Sequence, residues 1–430
     1  MAKCQSGTFT TFFFLSILWR ITCAQSLSDV VESDQETCYC VQELLYGLNG
    51  PLSMSFYLES GVQMAVVVEQ MGIAGVYSMS GQRVRPFLDI SSRVVISNDN
   101  GESRGLLSLV FDPLFNGTGN VYVYYIRRVN DKEYAYVSVF QARDGTVDPN
   151  SEKFLLRIFQ PYQHGNGGPM LFGDDGFLYI FTGDGGEEDD RSGKAQSMNT
   201  LHGKVLRIQV MEGQDFLPGE AGPAKLYATP DTNPFKGSQD GGDEIYALGV
   251  RNMWGCSLDS VRRGGSGRIF CAETGTVLFD EIVVIEEGKN YGWPIKEGNA
   301  CYKASTCSPI VNEGLPIFEF AHKDSHALVG GYVYRGKLFP WMSKHVHYAY
   351  GDVLHGKTYL LEESIGGVWT SRNWSQCDLE KCPSTSKAVL LDNLRAWGQD
   401  MQGELYLLMT KDLVATKATG KVFKIVPPSR

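Results

Sequence analysis

Beyond its first two dozen residues the chain lacks any apolar run long enough to cross a bilayer as a helix, which takes about 20 residues. That absence predicts a mature chain without a transmembrane segment. A basic surplus is also lacking: 39 Lys and Arg stand against 49 Asp and Glu, a formal charge of −10. This excludes nucleic-acid binding, which draws its affinity from cations set along phosphates. No Pro-rich, Ser-rich or like-charge stretch interrupts the chain after Cys40, so no linker divides it. Strict periodicity is weak, so spacing alone does not count the repeats.

What is present begins at the N-terminus. Lys3 precedes the short apolar run Thr10–Trp19, Arg20 closes it, and Thr22-Cys23-Ala24 offers small residues for cleavage before Gln25. This is the pattern of a secretory signal peptide, assigned to residues 1–24. Residues 25–37 are polar and acidic and read as a disordered lead-in. The cysteines agree with secretion. Cys4 and Cys23 leave with the signal, and an even number remains for an oxidising compartment. They fall in close pairs: Cys38/Cys40, Cys256/Cys271, Cys301/Cys307 and Cys377/Cys382. Cys256 and Cys271 flank a hairpin-length segment containing Gly264-Gly265-Ser266-Gly267 and are expected to bond. A direct Cys38–Cys40 bond across one residue would be strained. Those two are therefore expected to bond Cys377 and Cys382, in an order left open, while Cys301 and Cys307 close a short loop. Asn116-Gly117-Thr118 and Asn373-Trp374-Ser375 are glycosylation triplets that this compartment makes usable.

The 48 glycines and 12% aromatic content point to a turn-rich β protein. Short runs such as Val62–Glu69, Val121–Ile126, Phe177–Thr182, Val205–Val210 and Leu405–Leu408 alternate or are apolar throughout, as strands with one or two buried faces do. Asp175-Gly176-Phe177-Leu178-Tyr179 and Gln402-Gly403-Glu404-Leu405-Tyr406 look like two copies of one turn feeding a strand. At the length of short propeller repeats the chain would make about nine blades, beyond the usual four to eight, so fewer and longer blades fit better.

Several segments then occur in a telling order: Arg104–Pro113, Asn166–Tyr179, Thr182-Gly183-Asp184-Gly185-Gly186, His202–Ile208, Ala247–Asn252 and Asn290–Pro294. Together they resemble the glucose/sorbosone dehydrogenase-like quinoprotein propellers. The Cys38-Tyr39-Cys40 start, and the Cys256/Cys271 pair beside Arg251-Asn252-Met253-Trp254, resemble the hedgehog-interacting-protein-like branch of that family. The resemblance implies an all-β, six-bladed β-propeller over residues 38–428, with the N-terminal strand pairing near the C-terminus to close the ring. The cysteine-rich Frizzled-like domain that often precedes this propeller is expected to be absent, because the propeller pattern starts almost directly after the signal.

The family's enzymes oxidise an aldose: a histidine takes the proton while hydride passes to pyrroloquinoline quinone seated on calcium. Residue by residue, the match is mixed. Arg251 and Asn252 stand where the family contacts quinone and substrate, and the backbone carbonyls of Gly275 and Thr276 fall where it holds calcium. The base position is Gly165, with His164 one residue early and so turned to the other face unless a bulge restores it. Ser103 replaces a glutamine, and Leu354 replaces a lysine that would meet a quinone carboxylate. These departures imply a central pocket, formed by Arg251, Asn252, the Gly275–Thr276 turn and the segment around His164, that suits calcium better than quinone. The acidic loop Glu187-Glu188-Asp189-Asp190 is a second candidate, able to meet calcium or a partner's cation, as an acidic loop does in the hedgehog binder. The resulting expectation is a secreted, non-enzymatic binding module for a signalling protein, hedgehog-type included, or a glycan. The alternative is a calcium- and quinone-dependent aldose dehydrogenase.

Overall fold

A strand that is apolar on both faces is stable only between two neighbours. Val62–Glu69 is such a strand: Ala65, Val66, Val67 and Val68 are all fully buried. A ring of sheets packed face to face supplies two neighbours to every sheet. The computed structural model describes residues 38–429 except 100, 212–225, 240, 323–326 and 389–392; the signal peptide and lead-in assigned to residues 1–37 lie outside the described residues.

The strands form six blades. Blade 1 is Pro51–Glu59, Val62–Glu69, Ile73–Ser78 and Arg83–Asp89. Blade 2 is Leu106–Phe111, Asn120–Val129, Lys132–Arg143 and Lys153–Gln160, and blade 3 is built on Met170–Phe172, Leu178–Phe181 and Lys204–Val210. Blade 4 is Met253–Leu258, Ile269–Glu273, Phe279–Ile285 and Phe318–Ala321. Blade 5 is Leu328–Val333, Val346–Asp352, Thr358–Glu363 and Trp369–Asn373. Blade 6 takes Asn393–Gln399, Leu405–Thr410 and Gly420–Val426 from the C-terminal end, and Cys40–Leu48 from the N-terminal end as its outermost strand. That last pairing, from Cys40 opposite Val426 to Leu48 opposite Gly420, closes the ring as expected. Each innermost strand lies against the next, and that of blade 6 against that of blade 1.

Burial follows the ring. The six large apolar clusters each join two adjacent blades. In Val62–Glu69, Val66 and Val68 pack toward blade 2 while Ala65 and Val67 pack toward blade 6. The two related turns are the inner hairpins of blades 3 and 6. Gly176 and Gly403 both take φ above +75°, which favours glycine. In each, the tyrosine three residues on donates its hydroxyl to an aspartate of the turn, Tyr179 to Asp175 at 2.8 Å and Tyr406 to Asp400 at 2.9 Å.

The disulfides are Cys38–Cys377, Cys40–Cys382, Cys256–Cys271 and Cys301–Cys307. The first two run side by side and tie the N-terminal strand to the segment after blade 5. The third crosses paired strands of blade 4, where Cys256 and Cys271 face each other. Asn116 is exposed in the single-turn helix Phe115–Thr118, and Asn373 is half-buried at the end of its strand. No helix among the described residues is long and apolar enough to cross a membrane.

Candidate functional site

The innermost strands of blades 2, 3 and 4 are entered through Ser103, Gly165–Gly168 and Arg251–Asn252, so these segments gather at one mouth of the ring. Hydrogen bonds join them. The Gly167 N–H donates to Asn252 Oδ1 at 3.1 Å. Thr274 N–H donates to the Asn252 carbonyl at 3.2 Å, and Arg251 Nη1 donates to the Thr274 carbonyl at 2.7 Å. The Gly275–Thr276 turn follows directly. Arg251, Asn252 and this turn are thus brought together. The cavity on the ring axis begins further along the same strands and is lined by Gly168, Trp254 and residues beyond them.

Position 165 does not supply a base. Gly165 has φ +65°, and a Cβ there would run into Asp184 Oδ1 and the backbone of Gly186. The chain needs glycine here because the loop 183–186 crosses it closely: Gly185 N–H donates to the Gly165 carbonyl at 2.9 Å. The kink that could re-aim His164 is therefore present, yet the imidazole stands exposed and has no hydrogen-bond partner among the described residues. Ser103 is occupied, donating its hydroxyl to the Gln163 carbonyl at 2.6 Å. Leu354 is 41% exposed in its turn. Of its neighbours, His355 pairs with the buried Asp352 at 2.6 Å, and Lys357 lines a groove with Tyr39, Thr358 and Asn373.

Residues the sequence reading passed over dominate the electrostatics. Asp184 is buried, with Oδ1 accepting from Gly186 N–H at 2.8 Å and Oδ2 from the Trp293 indole at 3.0 Å. Burial pushes its carboxyl up to about 6, against the pull of the Arg251 guanidinium. Glu273 accepts from the Arg251 backbone N–H and faces Glu281 on the next strand, which faces Glu319 on the one after. Like charges directly opposite repel; Glu273 and Glu281 are both held above the usual carboxylate range, chiefly by burial. Glu297 clamps the turn, accepting from Thr276 Oγ1 at 3.0 Å and Leu278 N–H at 2.8 Å as well as from Thr276 N–H. Asp280 accepts from Gly275 N–H and pairs with His322 at 2.7 Å, which raises the imidazole's pKa. Asp184 could have been singled out from its Thr-Gly-Asp-Gly-Gly motif; the cross-strand acids carry no local signal.

Among the described residues, the Arg251 guanidinium of this site has no carboxylate partner within 4.0 Å, and the acids around it mostly cap backbone N–H groups. The Gly275 and Thr276 carbonyls accept no hydrogen bond among the described residues and would fit calcium as ligands. The carboxylates add little: no three among the described residues bring an oxygen within 4.8 Å of one another, and the one such cluster, Cys40, Cys377 and Cys382, is bound up in disulfides. A quinone bearing three carboxylates does not fit, because acids surround Arg251 and the position that would supply a lysine is Leu354.

The acidic loop is internally paired. Glu187 meets Lys194 at 2.7 Å, Glu188 meets Arg191 at 2.6 Å, and Asp189 takes Tyr302 and Lys303 at 2.7 and 2.6 Å. Asp190 is buried and caps the N–H groups of Lys194 and Ala195. Only Glu188 projects into solvent.

A family model for glucose / sorbosone dehydrogenases matches residues 48–350. The chain belongs to the glucose/sorbosone dehydrogenase family. Within the family, it is 26% identical over 426 residues to the hedgehog-interacting protein of Homo sapiens, covering 94% of this chain and 55% of that one. It is 32% identical over 330 residues to the HIPL2 protein of Arabidopsis thaliana, covering 68% of this chain and 44% of that one. The chain spans about half the length of these relatives. The soluble aldose sugar dehydrogenase of Escherichia coli has the same fold, with a TM-score of 0.66 at 20% identity over 90% of this chain and 99% of that one.

Proposed function

We propose that this glucose/sorbosone dehydrogenase-family propeller works outside the cell as a non-enzymatic binding module for a signalling protein or a glycan. The observation that carries the reading is at position 165, where the family's base would stand and where the backbone leaves no space for any side chain. A general base must reach the proton it removes, and exposed His164 has no hydrogen-bond partner among the described residues to orient it. Secretion is supported by four disulfides, with Asn116 and Asn373 as glycosylation sites. A hedgehog-type partner is supported by the likeness to the hedgehog-interacting protein along nearly the whole chain. Its contact would have to come from the mouth around Arg251 or from rearrangement of the paired loop Glu187–Asp190. Calcium would be held by the Gly275 and Thr276 carbonyls.

The second reading, aldose oxidation, is favoured by Arg251 and Asn252, which stand together beside buried Asp184. The test is direct. Purified protein is mixed with calcium, pyrroloquinoline quinone, an aldose panel and an acceptor dye, and in parallel is passed over immobilised hedgehog-type protein and a glycan array. Saturable binding without dye reduction is expected. Quinone-dependent dye reduction abolished by His164→Ala would overturn the reading.

A further inference from the structure

The innermost strands of blades 4, 5 and 6 run away from the mouth and end in the connections 259–268, 334–345 and 400–404. On this far face the three connections and Lys424 surround an open basin of about 570 Å3. Five cations line it: Arg262 and Arg263 from blade 4, Arg335 and Lys337 from blade 5, and Lys424 from blade 6. Two carboxylates line it with them, Asp400 and Glu404. A chain with a formal charge of −10 thus carries a locally basic, concave surface.

The acids of this face are spent on the fold. Asp259 takes Arg335 Nε and Nη2, both at 2.8 Å, together with the N–H and hydroxyl of Ser266. Glu404 accepts from Lys337 N–H at 2.7 Å and from the Tyr334 hydroxyl at 2.8 Å. Asp400 accepts from the N–H groups of Gln402 and Glu404, both at 2.9 Å. All three carboxylates are buried, and the bonds of Asp259 and Glu404 lace blades 4, 5 and 6 into one floor. The other four cations have no close carboxylate among the described residues. Lys337 is exposed. Arg263 is exposed too, and its Nη1 is held by the neutral Gln399 Oε1 at 2.8 Å. The Arg262 side chain is 68% exposed and comes no nearer than 3.9 Å to Asp174. Lys424 lies over the Tyr406 ring at 5.8 Å.

Cations spread over three blades on a fixed concave floor suit a ligand of repeated negative charge, not a single small ion. Lys/Arg clusters of this kind meet polyanions such as heparin. The apolar lining amounts to Leu338 and Met401, so a peptide's apolar side chains would find little cover. A sulfated sugar chain brings charged acceptors on every repeat, which guanidinium and ammonium donors match. We propose that the basin on the far face binds a sulfated glycosaminoglycan. The inference rests on the extracellular half of the proposed function and is independent of what the mouth holds.

The experiment passes the full secreted chain over immobilised heparin and over desulfated heparin. Saturable binding to heparin alone is expected, weakening as salt rises, because exposed charges are screened. Arg262→Gln/Lys337→Gln should weaken it about tenfold, two contacts at the strength of exposed ion pairs. Lys153→Gln/Arg157→Gln removes the same charge from exposed positions on the outer strand of blade 2 and should change the affinity less than about twofold. Soluble poly-glutamate at matched charge should compete poorly. No binding to heparin, an equal loss in the two double variants, or full displacement by poly-glutamate would each overturn the proposal, the last in favour of an acidic protein. Retention of the chain inside producing cells would instead count against the extracellular placement, and heparin binding by the purified chain would stand apart from it.

Discussion

Removing the clasp of Cys38–Cys377 and Cys40–Cys382 should reveal strong non-additivity. The two bonds close loops of 339 and 342 residues. In the chain-entropy treatment either bond alone restricts the unfolded chain by about 6 kcal/mol. The loops nearly coincide, however. With one bond in place, the second closes only a ring of a few residues and adds about 2 kcal/mol. Removing either pair should therefore cost about 2 kcal/mol, and removing the remaining pair about 6 more. Alanine is the replacement of choice, because these sulfurs are buried and a serine hydroxyl there would lack a partner. The assay is denaturant unfolding of wild type, Cys38→Ala/Cys377→Ala, Cys40→Ala/Cys382→Ala and the fourfold variant, with the slope checked for constancy. Two double variants whose losses simply add to that of the fourfold variant would show that each bond acts by local packing. The closure account would then be wrong.

The pH profile should carry the mark of Asp184. Its carboxyl is raised from 3.8 to about 6 in the folded protein, so between those values the native state holds a proton the unfolded chain has released. Stability should fall as pH rises through that window, and Asp184→Asn should flatten this part of a midpoint-versus-pH curve; an unchanged slope would mean that other groups set it. Glu297→Gln should cost on the order of 1–3 kcal/mol, because the new amide nitrogen would face backbone donors such as Leu278 N–H, and a thermal midpoint equal to wild type would contradict that clamp.

The legible part of the molecule was whatever repeats locally. Doubly apolar runs such as Ala65–Val68 announced sheets with two buried faces, and the paired glycine turns before Tyr179 and Tyr406 announced equivalent hairpins. The cysteine pairs marked the clasp because Cys38 and Cys40 are too close to bond each other. What escaped depends on contacts across the ring. Arg395 meets Gln70 325 residues away in sequence, and nothing near either residue signals it. Glu273, Glu281 and Glu319 form one row only when three strands are in register. The acidic loop is an intermediate case. Arg191 and Lys194, which pair with Glu188 and Glu187, lie close by in the sequence, whereas Lys303 and Tyr302 come from a distant loop and make Asp189 a tether.

The absence of a base at 165 is a property of two loops rather than of one residue. Gly165, Gly167 and Gly168 all have positive φ, and Cβ atoms at 165 and 167 would strike the 182–186 segment. That segment is in turn fixed by Asp184, whose oxygens hold Gly186 and Trp293. A side chain could enter at 165 only if the 182–186 loop withdrew, and withdrawal would break the Trp293–Asp184 bond and the bond from Gly185 N–H to the Gly165 carbonyl, and expose a carboxyl now buried beside Arg251. Asp184 thus serves here to seat the loop that occupies the base's place. Glycine at 165 lets the two loops pack, and Arg251 and Asn252 stand together beside them at the mouth.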